Sequence, residues 1–229
     1  EAIFFFFYKN SEQSTDLPHM LPRKEKWEEI VSSMGIFYTD RIVIYDNSDV
    51  LSSCRGWYNF IYFGHDKNLV SVLDGGLKKW LIENRKTTGE KTILNNSTYR
   101  ATENKNLVKS ILEVNENIGQ KNFTIIDARS KERFNGSVPD PRKNVKSGSI
   151  PNSVCLPFKE IINSSDNTFK GVSEISKKFS EIIDLNDDKT VFSCGSGITA
   201  CVLGLAYSLV NNTYSPTVYD GSWAEYGRI

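Results

Sequence analysis

The sequence predicts an α/β fold of two similar halves, each a parallel sheet flanked by helices, and three observations carry that expectation. Short runs rich in Val and Ile alternate with segments of helical spacing along most of the 229 residues, the pattern of parallel strands joined by crossover helices. Two stretches share one plan: VIYDNSDVLSSCRGWYNFIYFGHDKNLVSVLDGGLKKW from Val43 and VFSCGSGITACVLGLAYSLVNNTYSPTVYDGSWAEY from Val191. Each runs strand, loop, helix, strand, then Asp-Gly-Gly or Asp-Gly-Ser and an aromatic helix start, which reads as a duplication. Finally, KTVFSCGSGITACVLGLAYSL changes its apolar period from two to about 3.6 at Cys194, so that cysteine joins a strand to a helix.

The elements follow in order. Strands are expected where β-branched residues cluster between turn signals: IVIY at 42–45, LVSVL at 69–73, FTIID at 123–127, VCLPF at 154–158, TVFS at 190–193 and TVY at 217–219. Helical spacing predicts helices over 26–34, 54–63, 77–84, 107–117, 174–185 and 199–210. Residues 85–106, polar and rich in Thr, Asn and Lys, have no sustained period. They read as a linker. The domains expected are then 1–86, a linker over 87–106, and 107–229. EAIFFFF at the start matches NSVCLPF near Asn152, so the first domain is expected to open partway through, with a strand and a helix missing before it.

In the duplication Asp46 occupies the slot of Cys194, so one copy alone keeps the thiol. The 28 basic and 28 acidic side chains cancel, and no dense basic block or basic-aromatic stripe suggests a nucleic-acid partner. The longest apolar run, residues 2–8, is too short to cross a bilayer, so no membrane partner is expected. Four cysteines without a C-x-x-C pair read as free thiols rather than disulfides or zinc ligands. Cys54, Cys155 and Cys201 read as core.

Cys194 differs from these by its place. A thiol at the end of a parallel strand, facing a helix start, stands where open α/β sheets hold ligands. Backbone N–H groups of Gly195, Ser196, Gly197, Ile198 and Thr199 are expected to converge on the sulfur, and the helix N-terminus favours negative charge there. A cysteine phosphatase needs an arginine to close such a loop, but the sixth and seventh residues after Cys194 are Ala200 and Cys201. Neither a G-x-S-x-G elbow nor a Walker Lys-Ser/Thr pair is present.

CGSGITA, YDGSWAEY at 219–226, FGHDKNLVSVLDGGLKKW at 63–80, DARSKERFNGSVPDPR at 127–142 and DLPHMLP at 16–22 together resemble the two-domain rhodanese family, over nearly the whole chain and in the same order. The neutral Gly195 and Ser196 after the cysteine resemble its branch that uses 3-mercaptopyruvate rather than thiosulfate. The resemblance implies two rhodanese-like domains and a transferase in which Cys194 takes sulfur as a persulfide, releases pyruvate, and yields the sulfur to thioredoxin, another thiol or cyanide. It implies no metal or organic cofactor, and a cytoplasmic or mitochondrial setting. Thiosulfate sulfurtransfer, and a sulfur-relay module with little small-molecule turnover, are the alternatives.

Among site residues, the resemblance implies that Arg133 and Arg142 grip the substrate carboxylate, and that Ser196 and His19 belong to a Ser-His-Asp proton relay. The family's aspartate falls at Phe6, so another acid such as Asp16 would have to substitute. Arg129 is expected in a structural ion pair, Ser149 stands where the family usually has histidine, and His65 is expected to cap the helix before the second strand.

Overall fold

The computed structural model describes residues 2–186 and 189–229. In the first half, a one-turn helix α1 (Phe7–Asn10) precedes α2 (Lys24–Ser33), β1 (Ile42–Ile44), α3 (Ser53–Tyr62), β2 (Val70–Val72) and α4 (Gly76–Ile82). β1 and β2 pair in parallel, Val43 opposite Ser71. The second half holds β3 (Val108–Lys109), α5 (Ile111–Gln120), β4 (Thr124–Asp127), α6 (Lys131–Phe134), β5 (Val154–Cys155), α7 (Val172–Ser180), β6 (Thr190–Ser193), α8 (Ile198–Val210), β7 (Val218–Tyr219) and α9 (Ser222–Tyr226). Its five strands run in the order β3-β7-β6-β4-β5, all parallel. The α/β class and flanked parallel sheets are those the alternation anticipates.

Sheet position explains burial. β6 lies between β4 and β7, and all four of its residues are buried, as a central parallel strand covered on both faces requires. On one face α7 and α8 bury Ile175, Phe179, Val202, Leu203 and Ala206, and α8 also packs on α3 of the first half, so the main core runs through both halves. On the other face Val114 of α5 and Trp223 of α9 close a smaller cluster with Ile125, Ile150, Val191 and Tyr219.

Three expectations need correction. The helix expected over 107–117 starts later, because Val108 and Lys109 pair with β7 as an edge strand. Its start is marked by a capping box, Ser110 Oγ accepting from Glu113 N while the Glu113 carboxylate accepts from Ser110 N, an S-x-x-E signal legible in the sequence. His65 is no helix cap: Asp66 accepts from Asn68 N in the turn before β2, whereas the buried His65 ring stacks on Tyr99, with Nδ1 3.0 Å from the Tyr99 hydroxyl and Nε2 2.9 Å from the Asp40 carbonyl. Helix α7 stops at Ser180, short of the expected 185.

Within 85–106, Tyr99 and Ala101 are buried against the first half. Ser97 and Thr102 donate backbone N–H groups to the Ser32 and Phe63 carbonyls, and Tyr99 N to Ser32 Oγ. This polar stretch draws its order from hydrogen bonds to α2 and α3, a source that leaves no periodicity to read.

Candidate active site

Cys194 follows directly on Ser193 at the C-terminal end of β6, and α8 begins four residues later at Ile198. The intervening loop is held from α9. Ser222, itself in the left-handed region at φ 50°, accepts at Oγ from Cys194 N (3.2 Å) and Gly197 N (3.1 Å) and donates to the Tyr219 carbonyl (2.8 Å). Trp223 N and Ala224 N donate to the Cys194 and Gly195 carbonyls, each at 3.0 Å. The loop conformation is therefore fixed independently of any ligand.

The cup around the sulfur differs from the expected ring of amides. Ser196 N lies 3.5 Å from Cys194 Sγ, whereas Gly197 N is engaged by Ser222, and among the described residues neither Ile198 nor Thr199 donates to the sulfur. Ile198 and Thr199 instead open α8. Gly197 sits at φ 79°, a conformation that disfavours side chains, and a Cβ there would come within 2.7 Å of Arg55 Nη1.

Gly195 has the second steric reason to be glycine. A Cβ on it would stand 3.0 and 3.1 Å from Arg142 Nη2 and Nη1 and 3.3 Å from Arg133 Nη2. The two guanidinium groups thus meet directly over the cysteine loop. Asp140 holds both, accepting from Arg133 Nη2 at 2.7 Å and Arg142 Nη1 at 3.2 Å while its side chain is almost wholly buried. Burial alone would push its carboxyl up, but the hydrogen bonds and charges of these arginines hold it below the ordinary range. The arginine side chains, more than a quarter exposed, face the opening, and Cys194 lies beneath at 2% exposure.

The first half reaches into the same site. His19, left-handed at φ 64°, places Nδ1 3.0 Å from Ser196 Oγ, so these two residues, 177 positions apart, come together. Neither the position where the family has aspartate nor Asp16 joins them. Phe6 is half exposed between Phe4 and Tyr8, and it is the Tyr8 ring that lies against His19, centroids 4.8 Å apart. Asp16 pairs with Arg228 at 2.8 Å instead.

Burial, then the positive charges of Arg55 and Arg142, lower the His19 pKa from 6.5. The ring should titrate below 6.5 by NMR, and Arg142→Ala should move its midpoint upward; an unmoved midpoint would take Arg142 out of its surroundings. Since the unfolded chain protonates this residue at higher pH than the folded one, His19 disfavours folding progressively as pH falls from about 6.5 through the lower folded value.

Three residues that sequence reasoning passed over complete the site. Arg55 of α3, with 1% of its side chain exposed, forms an ion pair with Asp220 Oδ1 (2.6 Å) and donates to the Gly197 carbonyl (3.1 Å) and the His19 carbonyl (2.9 Å). Asp220 accepts Leu21 N at Oδ2, 2.8 Å away. One buried ion pair thereby joins the histidine loop to the cysteine loop. An arginine inside an aromatic helix was the available signal for Arg55, and the matched Asp-Gly motif for Asp220; Asp140, in PDPR, lay between the expected arginines. The remaining thiols are no rivals to Cys194: burial pushes Cys155 and Cys201 up to about 12 and Cys54 well above its ordinary value. Arg129 makes the expected ion pair, buried with Asp127 at 2.7 Å.

Comparison with known proteins gives one consistent result. The model for the rhodanese-like domain matches residues 2–83 and 110–228. The chain is 36% identical over 247 residues to the thiosulfate/3-mercaptopyruvate sulfurtransferase 1, mitochondrial, of Arabidopsis thaliana, covering 98% of this chain and 64% of that protein's length. It is 35% identical to the 3-mercaptopyruvate sulfurtransferase of Mus musculus, covering 98% of this chain and 75% of that one. The crystal structure of SseA from Escherichia coli, titled as a 3-mercaptopyruvate sulfotransferase, superposes with a TM-score of 0.83 at 29% identity, over 97% of this chain and 82% of that one.

Proposed function

The chain belongs to the family of rhodanese-like domain proteins, and from that premise we propose that it is a sulfurtransferase moving sulfur from 3-mercaptopyruvate through a Cys194 persulfide to a thiol acceptor. One observation carries the choice of donor: Arg133 and Arg142 converge over Gly195, beside the cysteine. A planar guanidinium grips a carboxylate with two parallel hydrogen bonds, and two of them suit the carboxylate and ketone oxygens of an α-keto acid. The names of the relatives support the same class of reaction.

The steps follow from the geometry. The Cys194 thiolate attacks the sulfur of mercaptopyruvate, the carbon–sulfur bond breaks, and its electron pair leaves on the pyruvate enolate. The outer sulfur stays on Cys194, where the Ser196 amide, 3.5 Å from Sγ, supports the negative charge. The enolate takes a proton, and the Ser196 hydroxyl with His19 behind it is the route for that proton. A second thiol, thioredoxin or another, attacks the outer sulfur and restores Cys194. Cyanide serves the same purpose in an assay. The setting proposed is cytosol or mitochondrion.

The decisive experiment incubates the protein with 3-mercaptopyruvate and a dithiol and follows pyruvate, then repeats the measurement with thiosulfate and cyanide. Faster turnover of mercaptopyruvate is expected. Turnover of thiosulfate alone would transfer the assignment to the thiosulfate reaction; turnover of neither would leave a sulfur-relay module. Arg142→Ala should raise KM for mercaptopyruvate roughly tenfold or more, the value of a charged hydrogen bond, with a smaller change in kcat. An unchanged KM would remove the clamp.

A further inference from the structure

The two halves cap one another in matching ways. Leu21, from the first, donates its backbone N–H to Asp220 at 2.8 Å, and Phe169, from the second, donates to Asp74 at 2.8 Å. Two residues before each donor the backbone turns left-handed, at His19 (φ 64°) and Asn167 (φ 61°). Two residues after each aspartate it does so again, at Gly76 (φ 53°) and Ser222 (φ 50°). The duplication therefore reaches individual hydrogen bonds. It sets Asp46 opposite Cys194 and Asn167 opposite His19, so the first half holds a second cup lidded by the other half.

That cup is open. A cavity of about 310 Å³ is lined by Asp46, Asn47, Ser48, Lys78, Leu81 and Asn167, among others, at the lower end of the range of small-molecule sites. Asp46 commits one oxygen, Oδ2, to Ser53 N (2.7 Å), Ser52 Oγ (3.0 Å) and Ser48 Oγ (3.2 Å), and no described residue donates to Oδ1. Lys78 Nζ donates to the Ser164 carbonyl (2.9 Å) and Asn167 Oδ1 (3.2 Å). An ammonium has three N–H groups, so one remains, and both acceptors it has among the described residues are neutral. A simple anion entering the cavity meets Asp46 and the neighbouring Asp49, and a simple cation meets Lys78. A small molecule carrying both charges satisfies both walls, with Leu81 as its apolar contact.

We propose that this cavity is a second ligand site, which binds a free α-amino acid as its zwitterion, the ammonium on Asp46 and the carboxylate on Lys78. The site is separate from Cys194 and does not rest on the sulfurtransferase reading. Calorimetric titration of the wild-type protein with L-alanine and L-methionine, and with acetate and methylammonium as single-charge probes, tests it. Saturable one-to-one binding of the amino acids alone is expected. That binding should persist in Arg142→Ala, which dismantles the arginine pair at the other cup, and weaken roughly tenfold or more in Lys78→Met and in Asp46→Asn. No saturable binding to the wild type, binding lost in Arg142→Ala but kept in Lys78→Met, or acetate binding as well as alanine overturns the proposal. Should Asp46→Asn fail to fold, Lys78→Met decides alone, because that side chain lies on the cavity wall and not in the core.

Discussion

Cys194→Ser should abolish pyruvate release, lowering turnover by at least about a thousandfold, because every step from carbon–sulfur cleavage onward needs a sulfur nucleophile at that position. The substitution is sterically mild. Cys194 is held through its backbone, N–H to Ser222 Oγ and carbonyl to Trp223 N, so the variant should fold with an unchanged melting temperature. Fragmentation mass spectrometry supplies the matching observation: the wild-type protein treated with mercaptopyruvate should gain one sulfur atom at Cys194 itself and none at Cys54, Cys155 or Cys201, whose thiols burial pushes up. Retained turnover in the serine variant, or sulfur found on another cysteine, would move the chemistry elsewhere.

Arg55→Met should lower stability by about 3–5 kcal/mol, the cost of stripping one partner from a buried ion pair, and the melting temperature by roughly 10 °C. The loss leaves Asp220 charged and buried, with Leu21 N as its remaining donor, and frees the His19 and Gly197 carbonyls. Activity should fall further than stability accounts for, since the same guanidinium fixes the loops bearing Ser196 and His19. A double-mutant cycle with Asp220→Asn separates the effects: a pair acting as a unit gives strongly non-additive losses, and additive losses would show that Arg55 and Asp220 act independently. Arg55→Lys, which keeps the charge but not the fork, should recover only part of the stability.

How far the site was legible depends on the range of the interactions involved. The change of apolar period at Cys194 is local, so β6, the loop and α8 can be read to within a residue or two. Val108 and Lys109 were lost to a helix because an edge strand of two residues has no period of its own and takes its state from β7. His65 was misplaced for a related reason. Its ring is bound by Tyr99 and Asp40, 34 and 25 residues away, and no local pattern records such partners.

The chain by itself determined the duplication, the parallel α/β class and the single cysteine loop, because these rest on apolar spacing and on residues adjacent along the backbone. Tertiary structure alone decided which charges meet. Arg55 became the bolt between halves, paired with Asp220 and holding the Gly197 carbonyl, only once segments far apart in sequence were brought within hydrogen-bonding distance, and electrostatic partnership depends on separation in space, to which sequence separation is no guide.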